Sequence, residues 1–174
     1  MTKEFLPEGY TVPQSSGQYM KLQDGENKIL PLDSIIKGFE YWTNENKPVR
    51  SEEYPKETPD IRLDKDDNPT RIKHFWAFPV WNSAEKKVQV LEITQKSIMG
   101  AIQALARSED WGNPIMEYQI SITKSGEGLA TEYQVMPNPK KSIPDEILKQ
   151  WEEIKEAGFD LTRLYEQGNP FKAE

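Results

Sequence analysis

The sequence predicts a mainly β domain with a few helices. Three observations carry that expectation. Stretches rich in β-branched and aromatic residues recur at 34–43, 71–82, 86–94, 116–123 and 131–137. Turn-forming clusters separate them, at residues 24–25, 45–47, 82–86 and 125–128. Apolar residues at helical spacing occur in only two regions, residues 95–109 and the segment after Pro139.

Size and charge set the limits. The 174 residues suit one domain with a real core. No run approaches the eighteen or so apolar residues that a membrane span needs. The opening 17 residues lack the apolar stretch of a secretory signal, which points to the cytoplasm. The chain has no cysteine and one histidine, His74, so disulfides and a structural zinc are not expected. Mean hydropathy is -0.80. The net charge of -7 argues at first against nucleic acid, but its distribution matters more. Residues 52–67 hold seven acids and three bases, and residues 145–174 hold eight acids and four bases, so the remainder is nearly neutral.

Element by element, residues 1–16 are polar and read as a flexible N-terminal arm. Short apolar patches flank an Asp24–Gly25 turn. The first long strand, SIIKGFEYWT, has KPVRS as its extension or partner. Residues 52–70, with three prolines and little apolar content, read as a mobile acidic loop. RIKHFWAFPVWN and KKVQVLEIT form a strand pair, with Pro79 marking an edge or a bulge. Ile98, Ile102 and Leu105 define a helix, stopped at WGNP. In MEYQISIT, Met116, Tyr118, Ile120 and Ile122 alternate inward. TEYQVMP is the last strand. Ser142 and Asp145 form an S-x-x-D helix start, followed by Ile147, Trp151 and Ile154 on one face and a short helix over 160–167.

One helix between the third and fourth of five strands is the element order of the OB-fold. The expectation is an OB-fold-like five-stranded barrel spanning 17–140, with C-terminal helices in 141–174.

The chemistry-bearing stretch is IKHFWAFPVWN, which holds four of the chain's eighteen aromatic residues. Ile72, His74, Trp76, Phe78 and Val80 make one face. Lys73, Phe75 and Trp81 lie on the other, where cations beside rings suit phosphates beside bases. SIIKGFEYWT repeats the pattern with Lys37, Phe39 and Tyr41, and Lys47 and Arg50 lie just beyond. From the residues alone, a second reading stays open, in which helices cover this face and all four rings are core. His74 reads as a buried, hydrogen-bonded histidine. The chain carries no GxxxxGK[ST], GxGxxG or HExxH, and its acidic pairs fall in a lysine-interleaved loop, so neither catalysis nor a cofactor or metal is expected.

The blocks GQYMKLQDGENKILPLDSIIKGFEYWT, KPVRS, KHFWAFPVWN, VQVLEITQKSIMGAI and ITKSGEGLATEYQVMPNP resemble phage-encoded single-stranded DNA-binding proteins, over roughly 17–140. The resemblance implies an OB-fold that binds single-stranded DNA with little sequence preference, without enzymatic activity or cofactor. Carried over by block, it implies contacts from Lys37, Tyr41, Trp42, Lys47, Arg50, Lys73, Phe75 and Trp81, without separating those that stack from those that pack. The mechanism expected has lysines and arginines on phosphates and Tyr41, Phe75 and Trp81 stacking on bases. The implied setting is phage replication, recombination or repair in the bacterial host cytoplasm. Partners would be phage or host replication and recombination proteins and further copies of the chain. Two features depart from the type. The ligands of the structural zinc of the T-even helix-destabilising protein are missing. The C-terminal residues 145–174 read as helical and only modestly acidic, so they are expected to pack on the barrel or on another subunit. Two rival readings are an acidic DNA mimic, using the carboxylates of 52–67 against a host DNA-processing protein, and a carbohydrate- or protein-interaction module.

Overall fold

A computed structural model describes residues 3, 5–8 and 17–171. Most of the expected N-terminal arm lies outside them. The chain runs β1 (Tyr19–Met20), β2 (Gly25–Pro31), β3 (Ile36–Trp42), β4 (Pro48–Ser51), β5 (Lys73–Asn82), β6 (Lys87–Ile93), α1 (Lys96–Ala106), β7 (Ile120–Ser125), β8 (Glu132–Pro137) and α2 (Asp145–Glu156). A 3-10 turn at Gly128–Ala130 lies between β7 and β8, and a 3-10 segment at Leu161–Glu166 follows α2.

The protein is mainly β. Its eight strands form one mixed sheet in the order β1-β6-β5-β2-β7-β8, with β3 pairing β5 and β4 pairing β3. Only β1 and β6 run parallel. Among the described residues no pairing joins the two ends, so the expected five-stranded barrel is not what the strands form. The helix does fall between the third and fourth long strands of the expectation, β6 and β7.

Pro79 explains part of the difference. β5 is a central strand with unbroken pairing to β6, Pro79 lying opposite Val90, so Pro79 marks neither an edge nor a bulge. The Val90 amide points away to Gln18 O, which makes 79–90 a non-hydrogen-bonded pair. The missing N–H of Pro79 therefore faces the other side of β5. There the partner changes, from β3 along residues 73–77 to β2 along residues 80–82. A proline sits at the one place in the strand where no donor is needed.

β2 was not expected as a strand. Its entry is set by Gly25 at φ 88° and by Asn27, whose side chain bonds Gln23 N, Gln23 O and Ile122 O. The strand 116–123 is also shorter than expected. Met116 takes φ 57° in a turn and packs toward Leu32 and Trp151, while Tyr118, Ile120 and Ile122 point into the main core. α2 starts at Asp145 after Pro144, so Ser142 is not its cap, and Asp145 and Glu146 oppose the positive end of the helix instead.

β5 is buried on both faces. Trp76, Phe78 and Val80 join Leu91, Ile93, Ile120 and Ile122 in a core closed by Ile98, Met99 and Ile102 of α1. On the other face, Ile147 and Trp151 of α2 pack on Leu30, Trp81 and Val88. Leu161 and Leu164 cover Phe75, Ala77 and Val90. Each large apolar side chain so buried contributes about 1.5–3 kcal/mol. The C-terminal segment is thus a layer of the fold, as one of its two expected placements had it.

Candidate nucleic-acid interface

The face of β5 that holds Lys73, Phe75 and Trp81 is the one under the C-terminal segment. Phe75 is 0% exposed and Trp81 4% exposed, and Tyr41, on the opposite face of β3, is 6% exposed. All three rings assigned to base stacking are therefore core residues. The repeated Lys-x-aromatic pattern does not form one platform either. The antiparallel register sets Lys37 opposite Trp76 and Lys73 opposite Glu40, so the two lysines lie on opposite faces of the sheet. Lys37 is exposed, and its carbonyl accepts a hydrogen bond from the Tyr165 hydroxyl.

The other four residues converge. Trp42, Lys47, Arg50 and Lys73 line a groove of about 700 Å³ that the C-terminal segment leaves open. Tyr19, Lys21, Glu40 and Glu92 complete it, with Gln167 and Gly168 along one wall. Trp42 is 36% exposed and Lys73 is exposed, and Lys47 makes only a 3.7 Å contact with Glu45, both side chains largely in solvent. A second groove of about 540 Å³ shares Lys73 and Thr94 with the first. It adds Arg71 and Lys96 beside Phe39, His74 and Tyr54, the last 61% exposed. Together the two grooves present six lysines and arginines against two carboxylates, in a chain whose net charge is -7.

Register explains the first groove's floor. Glu40 and Arg50 are opposite one another on β3 and β4. Gly38 lets β4 come close, since a Cβ there would lie 2.2 Å from Ser51 O and 3.1 Å from Phe75. Arg50 Nε bonds Glu40 Oε2 and Glu92 Oε2, each at 3.1 Å, and Nη2 reaches Glu92 Oε2 at 2.6 Å. The Arg50 backbone is held as well. Its N–H donates to Gln167 Oε1 at 2.9 Å and its carbonyl accepts from Gln167 Nε2 at 3.0 Å. Arg50 is therefore a committed ion-pair partner on the floor, while Lys47 and Lys73 are exposed cations of the rim.

Burial, then the hydrogen bond with and the charge of Glu92, push the Glu40 carboxyl up to about 8 against the pull of Arg50. Burial likewise raises the Tyr19 hydroxyl. His74 bonds Gly38 O through Nδ1 at 2.8 Å, which places the proton on Nδ1; it is hydrogen-bonded as expected but half-buried rather than buried.

Sequence reasoning missed Tyr19, Lys21, Tyr54 and Lys96. Tyr54 was hidden in the acidic segment read as a mobile loop. That segment has structure: Asn44 N bonds Asp60 O, Arg62 N bonds Trp42 O, and Thr43 bridges Ile61, which extends the β3–β4 ribbon. Asp64, offered as a pseudo-phosphate in the DNA-mimic reading, accepts instead from the amides of Asp66 and Asn68 within its own turn. Among the described residues no group of three or more His, Asp or Glu could hold a metal, and no helix is long and apolar enough to cross a membrane.

No family model matches the chain, and neither a curated protein nor a solved structure matches it.

Proposed function

We propose that the chain binds single-stranded DNA along the two adjoining grooves, in the manner of OB-type domains and without catalysis. The observation that carries this reading is the concentration of six cations beside the exposed rings of Tyr19, Trp42 and Tyr54, on an otherwise acidic protein. Lys47, Lys73, Arg71 and Lys96 suit phosphates, and the open rings suit bases, whose faces are alike enough to make stacking tolerant of sequence. A duplex keeps its bases stacked on one another and offers these rings nothing. The setting we infer is phage replication, recombination or repair in a bacterial cytoplasm, beside replication and recombination proteins.

The test is a titration of fluorescent oligo(dT), and of the matched duplex, at two salt concentrations. Oligo(dT) is expected to bind more tightly than duplex and to quench tryptophan fluorescence. Affinity should fall with salt at a log–log slope of about -0.7 per phosphate neutralised. Absence of oligo(dT) binding at low salt, or binding indifferent to salt, would overturn the reading.

A further inference from the structure

We propose that single-strand binding in the groove is linked to a proton shared between Glu40 and Glu92, the site binding best when the Glu40–Arg50–Glu92 group carries no net charge. The inference rests on the single-strand reading and concerns how that same site is regulated.

The geometry calls for the proton. Two carboxylates, on β3 and β6, meet one guanidinium from β4, and the Arg50 contacts use one oxygen of each. Glu40 is buried, and the second oxygen of Glu92, Oε1, is buried without a donor. A buried acceptor left unpaired is costly, and so is a second negative charge on one cation. A proton on Glu40 removes that second charge and turns the carboxyl beside Glu92 into a donor. The groups facing Glu40 are few. β1 brings Tyr19, β4 brings Arg50, β5 brings Lys73 in register opposite, β6 brings Glu92, and the C-terminal segment brings the neutral Gln167. Trp42 lies two residues further along β3 on the same face and lines the same groove, which sets an exposed ring beside that carboxyl. With the proton, the group is neutral. Without it, a net negative charge lies beneath the path proposed for the phosphates, and a bound strand must raise the affinity of Glu40 for the proton in return.

The experiment measures oligo(dT) affinity at fixed ionic strength from pH 7 to pH 9, for the wild type and for Glu40→Gln. The wild type should weaken by about fivefold, which is what one added unit charge about 8 Å from a phosphate costs at an effective dielectric of about 40. Glu40→Gln should show no such fall. A second measurement needs no variant: the Glu40 side-chain carboxyl followed by carbon NMR in the intact protein. It should titrate near pH 8 when free and at higher pH with oligo(dT) bound. Binding that falls equally in both proteins, or a Glu40 carboxyl that titrates in the ordinary carboxylate range, overturns the proton linkage and leaves single-strand binding standing. No binding by the wild type at pH 7 overturns the single-strand reading itself, and the linkage with it.

Discussion

The same face of β5 has two halves with different fates. From Phe75 to Trp81 it lies beneath α2 and the 3-10 turn at Leu161–Glu166, and its rings are core. At Lys73, beside Glu40, Arg50 and Trp42, it lies open as the wall and floor of a groove. Both halves belong to one alternating pattern, and an aromatic ring lies in each, Trp42 of β3 in the open one. What separates them is the path of the C-terminal segment, whose Gln167 and Gly168 form the groove's edge. A strand's pattern says which residues share a face, and a segment about 70 residues later in the chain decides which part of that face meets solvent.

Three substitutions set the halves against each other. Phe75→Ala should have the largest effect, a loss of about 3–5 kcal/mol of stability in urea unfolding, because it opens a cavity under Leu161 and Leu164. A loss below about 1 kcal/mol would return Phe75 to the open half. Glu40→Gln tests the groove floor by pH. The folded carboxyl titrates near 8, above its ordinary value of 4.5. Its favourable contribution is therefore complete below about pH 4.5 and is lost as pH rises through about 8. The melting temperature of Glu40→Gln should gain steadily on the wild type from pH 5 to pH 8, whereas the deficit of Phe75→Ala should stay flat across that range. Trp42→Ala should do the reverse of Phe75→Ala, weakening oligo(dT) binding by about 1–3 kcal/mol with little change in unfolding midpoint. If Trp42→Ala leaves binding intact, the exposed ring is not a stacking platform.

Much of this was legible from residue patterns. The parity of β3 and β5 was right: Lys37, Phe39 and Tyr41 share one side, and Lys73, Phe75 and Trp81 share one side. In the two helices Ile98, Ile102, Ile147 and Trp151 are buried as expected, while Leu105 and Ile154 are half-buried. Periodicity carries such local facts well. It does not carry register, so nothing in the sequence showed that Lys37 and Lys73 would fall on opposite faces. Nor did it show that Pro79 would sit where β5 changes partners. β2 escaped notice because GENKILP has charges along half its length and is anchored through Asn27 rather than by an apolar stripe. Of the eight residues expected at the site, the four that converge lie at the ends of their strands or in the turn beside them. Position along the strand does not by itself set them apart, since Tyr41 and Trp81 are also next to a strand end, and Phe75 and Trp81 are buried by the C-terminal segment packed on them.

The Gln167 side chain also has a bearing on how the protein behaves at high concentration. Its amide gives and takes one hydrogen bond at Arg50, as a neighbouring strand would, and so occupies the outer edge of β4. An edge strand with open backbone groups is a template for other chains. By filling that template from within the same molecule, a single glutamine leaves the Arg50 backbone with no open pair to offer a second strand.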